Sequence, residues 1–252
     1  MTYCVGMLVD AGLVMIADTR TNAGVDNISR YRKLHRLADA PDRLLFCATA
    51  GNLSLSQLVL ATLAEGLPGQ EGEPARTLAE APSMFRAAQW VGEAIARARN
   101  ELAHGLEAEG VAAGISLLLG GRIGEGPLKL YLLYEAGNFI ECQPDQPFLA
   151  IGDIKYGKPI LDRSLVPGTP LDEAVKIGLI SFDSTMRSNL SVGKPLDLVA
   201  VPADRAAPVV RRRIEADDGY FNDLSVRWSL LLNEVRATIP PPPFMAAGIG
   251  DA

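Results

Sequence analysis

Apolar and polar positions alternate in short blocks along the first fifty residues, with block lengths that suit β-strands better than helices. The run from Thr2 to Val9 is mostly apolar, Asp10 to Gly12 carries a turn signal, and Leu13 to Ala17 is a second apolar run. This spacing predicts a hairpin at the start of the chain. The same criteria predict strands at about 2–9, 13–19, 32–37 and 43–49.

Beyond residue 52 the apolar positions recur at helical spacing. An apolar stripe predicts a helix from about Leu53 to Glu65, with Asn52 as its N-cap. The stripe consists of Leu55, Leu58, Val59, Thr62 and Leu63. Further helices are predicted at about 83–109, 155–163, 171–187 and 220–237. Further strands are predicted at about 113–120, 128–136, 148–152, 196–201 and 208–214.

The order of these elements places groups of hairpin strands between pairs of helices. That order predicts an α+β protein with mainly antiparallel sheets covered by helices on their outer faces. A four-layer αββα sandwich fits the pattern, and a generic α+β domain fits it equally well. Residues 1–239 are predicted to form a single domain. Residues 240–252 are predicted to form a Pro-rich C-terminal tail, because the prolines at 240–243 cannot continue a helix.

Composition narrows the functional classes. The chain has 252 residues, an apolar content of 48% and a net charge of −6, which suits a sizeable core and argues against a nucleic-acid partner. Its three cysteines lack metal-ligand spacing and indicate buried thiols in a reducing compartment. With only two histidines, a histidine-based zinc site is not expected, and no cofactor is predicted. No signal peptide precedes Thr2 and no run of eighteen apolar residues occurs, so we expect a cytoplasmic protein that does not span a membrane.

Thr2 places a candidate nucleophile at the start of the first predicted strand. Removal of Met1 by an aminopeptidase, an enzyme that favours a small second residue, would leave Thr2 with a free α-amine and a hydroxyl group. The amine can accept the hydroxyl proton, so this chemistry needs no histidine. Because many proteins begin with Met-Thr, the interpretation depends on the residues around Thr2.

Those residues give the chain a resemblance to the proteasome β-subunit family of N-terminal nucleophile hydrolases. The resemblance is carried by Thr2, Ala17-Asp18-Thr19-Arg20, Lys33, Ala50-Gly51 and the segment Ser188 to Gly193. The start Thr-Tyr-Cys-Val-Gly and the stretch from Asp18 to Ser29 are similar to the bacterial branch called Anbu, a group of proteasome-type proteases. The resemblance extends from residue 2 to about 236 and implies the four-layer αββα fold.

The resemblance implies roles for three residues near the predicted hairpin. Thr2 would be the nucleophile, and Lys33 would lie beside its oxygen and amine as a cation that lowers their pKa and stabilises developing negative charge. Asp18 would hold Lys33 in place and keep it protonated or shuttle its proton. Without the resemblance, Asp18 and Lys33 would be interpreted as a strand-end ion pair of little energetic worth.

The resemblance extends to several backbone and polar contacts. Gly51 would let its backbone N–H approach the substrate and form the oxyanion hole, because no side chain blocks the approach. Ser191 would hydrogen-bond the Thr2 amine. Thr21 and Asn22 would bind the substrate backbone.

One position departs from the family pattern. Ser188 lies where the family commonly has an aspartate, which leaves the orientation of the Thr2 amine with less support. Asp153 lies near the position of a family serine close to the nucleophile, and Asp183 is a candidate substitute for the missing carboxylate.

The expected function is a threonine peptidase that cleaves unfolded chains or short peptides inside a homo-oligomeric ring or open helical ring. An N-terminal nucleophile amidase acting on a small amide would use the same Thr2 chemistry, and a catalytically silent assembly protein would keep only the fold. Assembly into a chamber favours the peptidase, whereas a monomer with a deep narrow pocket favours the amidase. The sequence specifies neither the cleavage preference nor an ATPase partner.

Overall fold

The structure, a computed structural model, describes residues 1–22, 28–69 and 74–246. These residues contain twelve strands and six α-helices. The chain divides into two compact units, Met1–Ala216 and Asp217–Ala252. The strands are β1 (Tyr3–Val9), β2 (Gly12–Asp18), β3 (Arg20–Asn22), β4 (Ile28–Arg30), β5 (Leu34–Ala40), β6 (Arg43–Gly51), β7 (Ile115–Ile123), β8 (Lys129–Leu133), β9 (Phe139–Glu141), β10 (Phe148–Gly152), β11 (Leu196–Pro202) and β12 (Val210–Ile214). The helices are α1 (Leu53–Glu65), α2 (Met84–Ala108), α3 (Lys158–Ser164), α4 (Leu171–Ser188), α5 (Gly219–Thr238) and α6 (Pro243–Ala246), with a short 3-10 helix at Leu78–Glu80.

Two five-stranded antiparallel sheets form the middle of the first unit. The first sheet has the strand order β10-β1-β2-β11-β12, and the second has the order β5-β6-β7-β8-β9. β3 and β4 form a separate two-stranded hairpin. Because β1 and β2 are central neighbours in the first sheet, the start of β1 and the end of β2 meet at one sheet edge, where Cys4 pairs with Ala17.

The side chains of the central strands alternate between two apolar layers. On β6, Phe46 and Ala48 belong to the core between the two sheets, whereas Leu45 and Cys47 belong to the core beneath α1 and α2. Successive side chains of a strand point to opposite faces, so a strand covered on both faces is apolar at nearly every position. This accounts for the almost continuous apolar runs in the sequence.

Helices cover both outer faces of the paired sheets. α1 and α2 pack on each other and on the second sheet, while α4 packs on β1, β2 and β11 of the first sheet, with α3 beside it. Asn52 caps α1 as predicted, since its side-chain oxygen accepts hydrogen bonds from the backbone N–H groups of Ser54 and Leu55. The predicted four-layer αββα sandwich is therefore confirmed for the first unit.

The second unit contains α5 and α6. Asp218 caps α5 through its side chain, which accepts a hydrogen bond from the Phe221 N–H. The C-terminal half of α5 and the residue after it carry exposed apolar side chains at helical spacing: Leu231, Leu232, Val235 and Ile239. Among the helices of the described ranges, none combines the length and apolar content that crossing a membrane requires.

The structure differs from the sequence predictions mainly at element ends. The third predicted strand, at 32–37, is β5 at Leu34–Ala40, and the helix predicted at 155–163 is α3, which begins at Lys158. The β3–β4 hairpin and β9 were not predicted. Each of these strands has three residues, too few for an alternating pattern to be recognised.

Candidate active site

A buried ion pair joins the end of β2 to the residue that precedes β5. The Asp18 side chain is fully buried, and Lys33 is 5% exposed. Lys33 Nζ lies 2.9 Å from Asp18 Oδ1 and also donates to the Arg20 carbonyl oxygen at 2.6 Å. These two contacts fix the ammonium group at the end of the sandwich where β1 begins.

The Asp18 carboxylate accepts three hydrogen bonds, each from a different segment of the chain. Oδ1 accepts from Lys33 and from the Tyr3 backbone N–H, and Oδ2 accepts from the Arg20 backbone N–H at 3.1 Å. Burial raises the pKa of the Asp18 carboxyl, while the charge of Lys33 and the hydrogen bonds from all three donors act in the opposite direction. The same oxygen therefore binds both the lysine and the first peptide N–H of β1.

Thr2 lies at the mouth of this cluster. It precedes Tyr3, whose N–H is held by Asp18 Oδ1 at 3.1 Å, and it is only 9% exposed. A cavity of about 420 Å³ is lined by Thr2 together with Lys33, Gly51 and Thr21. Among the residues that the sequence selected, these four therefore share one cavity, with Asp18 directly beneath it.

Gly51 ends β6 in a conformation that suits glycine. Its φ is +108°, and a Cβ at this position would lie 2.2 Å from the Gly114 carbonyl oxygen. The adjacent Asn52 N–H donates to that same carbonyl at 2.8 Å. A side chain at position 51 would therefore strain the backbone and collide with β7.

The remaining predicted residues lie in different places. Ser191 is outside the set of cavity-lining residues, and its N–H donates to Asn189 Oδ1 at 2.9 Å. Asn22 ends β3, where it pairs with Ile28 through the backbone, but its side chain is outside the described part of the structure. Ser188 is the exposed last residue of α4, and Asp183 pairs with Arg187 at 3.0 Å.

Asn189 was missed by sequence reasoning, and Asp153 was noticed only for its position. Asn189 Nδ2 donates to Asp153 Oδ2 and lies 3.7 Å from the Met1 sulfur. Asp153 lines the cavity with Met1 and Thr2. The two residues are 36 positions apart, so no local pattern could have paired them.

The residues that line this cavity include the parts of a nucleophilic site. A hydroxyl-bearing residue, a lysine and a glycine line one cavity, a combination that suits attack on a carbonyl followed by stabilisation of the resulting oxyanion. In residues 1–22, 28–69 and 74–246, no group of three or more His, Cys, Asp or Glu side chains is placed to hold a metal ion.

Solved structures of Anbu proteins match this chain along nearly its whole length. The (Gly-1) mutant of Anbu from Hyphomicrobium sp. strain MC1 is 42% identical with a TM-score of 0.87, and the match covers 96% of this chain and 99% of that chain. Anbu (ancestral beta-subunit) from Yersinia bercovieri is 41% identical with a TM-score of 0.85, over 95% of this chain and 98% of that one. The helical assembly of the Anbu complex from Pseudomonas aeruginosa gives 41% identity and a TM-score of 0.85, over 96% and 98%. No protein-family model and no curated protein matches the chain.

Proposed function

The chain belongs to the Anbu family of proteasome-related β-subunits and has an N-terminal nucleophile hydrolase fold; from this premise we propose that it is a cytoplasmic, self-assembling threonine-type peptidase. One observation carries the proposal. Asp18 Oδ1 binds both Lys33 Nζ and the Tyr3 N–H, which brings the residue before Tyr3 next to a buried ammonium group at a cavity mouth. That residue is Thr2.

The proposed reaction begins after Met1 has been removed. The Thr2 hydroxyl oxygen attacks the carbonyl carbon of a substrate peptide bond, and the α-amine accepts the hydroxyl proton. The tetrahedral intermediate collapses as the amine delivers that proton to the leaving nitrogen, which leaves an ester on Thr2. Water then hydrolyses the ester, with the amine again accepting a proton, and regenerates the free hydroxyl group.

Lys33 and Gly51 would act on charge that develops during these steps. The Lys33 ammonium is held by Asp18 at 2.9 Å and by the Arg20 carbonyl, so its position requires no reorganisation during the reaction. Gly51 lines the cavity and has no side chain, which suits its backbone N–H to donate to the oxyanion. Thr21 lines the same cavity and would contact the substrate backbone.

The test is hydrolysis of fluorogenic peptides by matched variants at position 2. Thr2→Ala removes the hydroxyl and keeps a small second residue, so Met1 is still removed, and hydrolysis is expected to fall to background. Thr2→Ser keeps the hydroxyl and is expected to retain measurable activity. Intact-mass measurement of each protein verifies that Met1 has been removed. Peptide hydrolysis by Thr2→Ala equal to that of the parent protein would refute the proposal.

Self-assembly is supported by the apolar side of α5. Leu231 and Leu232 are 52% and 51% exposed, and Val235 and Ile239 are 60% and 65% exposed. A continuous exposed apolar surface of this kind is typical of protein contacts. The related complex from Pseudomonas aeruginosa is a helical assembly. We expect a second copy of the chain to cover this surface.

Sedimentation velocity and negative-stain microscopy test the assembly. Leu232→Glu combined with Val235→Glu is expected to shift the protein to small species. Asn233→Glu, which adds a charge at an exposed polar position of the same helix, serves as the control and is expected to leave the assembly intact. Unchanged sedimentation of the double variant would show that α5 does not form the contact between copies of the chain.

A further inference from the structure

We propose that Asp153 binds and orients the α-ammonium group of Thr2 that is exposed when Met1 is removed. The inference rests on the proposed function for its catalytic consequence, although the binding of the amine can be measured without any hydrolysis. It assigns a role to a residue that the sequence pattern left unexplained.

The first observation is an unsatisfied carboxylate oxygen. Asp153 is only 9% exposed, and its Oδ1 has no hydrogen-bond partner within the described residues. Its other oxygen, Oδ2, accepts from the Asn189 side-chain amide. A buried carboxylate oxygen without a donor is costly, so its retention beside a candidate nucleophile indicates a partner that arrives later.

The second observation is the position of this carboxylate against the chain start. The Asp153 N–H donates to the Thr2 carbonyl oxygen at 2.6 Å. This contact requires Gly152, which has a φ of +84° and where a Cβ would lie 2.0 Å from the Thr2 oxygen. The backbone of residue 153 is therefore fixed directly against Thr2.

The third observation places the carboxylate on the side that Met1 occupies. Asn189 Nδ2, which donates to Asp153, lies 3.7 Å from the Met1 sulfur. Met1, Thr2 and Asp153 line one cavity. When the Met1–Thr2 peptide bond is hydrolysed by an aminopeptidase and free methionine leaves, the new amine faces the space next to this carboxylate.

Charge makes the new contact between the Thr2 amine and Asp153 a strong one. Before trimming, the Thr2 nitrogen is an uncharged amide, whereas afterwards it is an ammonium group with three donors. An ammonium-to-carboxylate hydrogen bond is charge-assisted, and it satisfies the buried Asp153 Oδ1. Asp153 thus supplies the carboxylate that Ser188, exposed at the end of α4, does not provide.

The contact also changes the titration of the amine. The charged groups around Thr2 are Lys33 and Lys155, which line the cavity, Asp153, and Asp18 beneath the cavity. The two cations favour the neutral amine, whereas the carboxylates of Asp153 and Asp18 favour the ammonium form. The amine must be neutral to accept the hydroxyl proton, so Asp153 raises the pH at which the site becomes active.

The experiment measures the pKa of the α-amine directly. Protein that starts at residue 2 is prepared by cleaving a ubiquitin fusion, in the Thr2→Ala background, and the amine is titrated by competitive acylation and mass spectrometry. Asp153→Asn and Asp153→Ser are each expected to lower the pKa of the amine by about one unit or more, since an opposite charge nearby shifts a pKa by roughly one to three units. Asp162→Asn, at an exposed pair with Lys158, is expected to leave it unchanged. Having two neutral variants keeps the test valid if one of them does not fold.

Catalytic proteins that carry Thr2 provide the second readout. The acidic limb of the pH profile of kcat/KM is expected to move to lower pH in Asp153→Asn by the same shift. An amine pKa that is the same in the parent and both Asp153 variants overturns the assignment, whether or not peptides are hydrolysed. If the amine pKa shifts but the protein with Thr2 hydrolyses no peptide, the peptidase proposal fails and the assignment of Asp153 stands.

Discussion

Replacing Lys33 by Met tests whether the buried pair beneath the cavity is ionised. The change keeps the length and most of the volume of the side chain but leaves the fully buried Asp18 carboxylate without its cation. Breaking a buried ion pair by removing one partner costs about 3–5 kcal/mol. Because Asp18 keeps two backbone N–H donors, from Tyr3 and Arg20, we expect a loss of about 3 kcal/mol at pH 7.

The stability of Lys33→Met is expected to depend on pH in a definite direction. Burial raises the pKa of Asp18 in the folded state, and the unfolded carboxyl titrates at about 3.9. Between these two values the folded Lys33→Met protein binds more protons than the unfolded chain, so its stability falls as the pH rises. The stability that the neutral carboxyl provides is therefore complete below about pH 4 and is lost gradually as the pH rises through the raised pKa of the folded state. The deficit of Lys33→Met should shrink as the pH is lowered towards about 4.

Urea unfolding followed by circular dichroism measures both effects. The double variant Asp18→Asn/Lys33→Met removes both charges and is expected to be more stable than Lys33→Met alone, because no isolated charge stays buried. Lys158→Met, at the exposed pair with Asp162, is the control and is expected to cost less than about 1 kcal/mol. The reasoning is refuted if Lys33→Met is no less stable than the control at about pH 7, or if its deficit is independent of pH.

Three other perturbations have expected outcomes. Gly51→Ala should lower stability in urea unfolding by more than about 1 kcal/mol and reduce peptide hydrolysis, since φ at this position is +108°. Gly105→Ala in α2, with open space beside it, should be neutral or stabilising in the same measurement, and equal stability of the two variants would contradict the conformational role of Gly51. Burial raises the pKa of the Cys47 and Cys142 thiols to about 12, so a thiol reagent at neutral pH should label them only after denaturant is added, and prompt labelling of the folded protein would count against this packing. Phe182→Ala, which removes a ring 4.6 Å from the Tyr3 ring, should cost about 3–5 kcal/mol in urea unfolding, and a cost no larger than that of the half-exposed Phe85→Ala would rule out a packing role.

The long elements could be predicted from sequence because the core imposes its periodicity on them. β1 and β2 are covered on both faces, so their apolar runs stand out, and Asn52 marked the start of α1 through a local hydrogen bond. The β3–β4 hairpin carried no comparable signal. Its first strand is Arg20-Thr21-Asn22, three polar residues that have no apolar face to reveal a strand.

The ion pair between Asp18 and Lys33 could be predicted because the two residues are close in sequence and resemble a known motif. Asp18 ends β2 and Lys33 precedes β5, so their pairing follows from a short connection and from the resemblance at Thr2. The link between Asn189 and Asp153 is different, because it joins the end of α4 to the end of β10. Only the packing of α4 on the first sheet brings those two side chains together.

Because Asp18 Oδ1 binds both Lys33 and the Tyr3 N–H, the position of the N-terminal residues is fixed from Tyr3 and not from the first residue of the chain. The first strand is anchored at Tyr3, so an extra residue ahead of Thr2 would leave the strand in register and change only which atoms project into the cavity. Under the proposed function, removal of Met1 would require no refolding, because Tyr3 and the rest of β1 are already held in place. The moment at which such a subunit becomes competent would be set by an outside aminopeptidase reaching Met1, which is 70% exposed, and a slow or missing trim would yield assembled but latent particles.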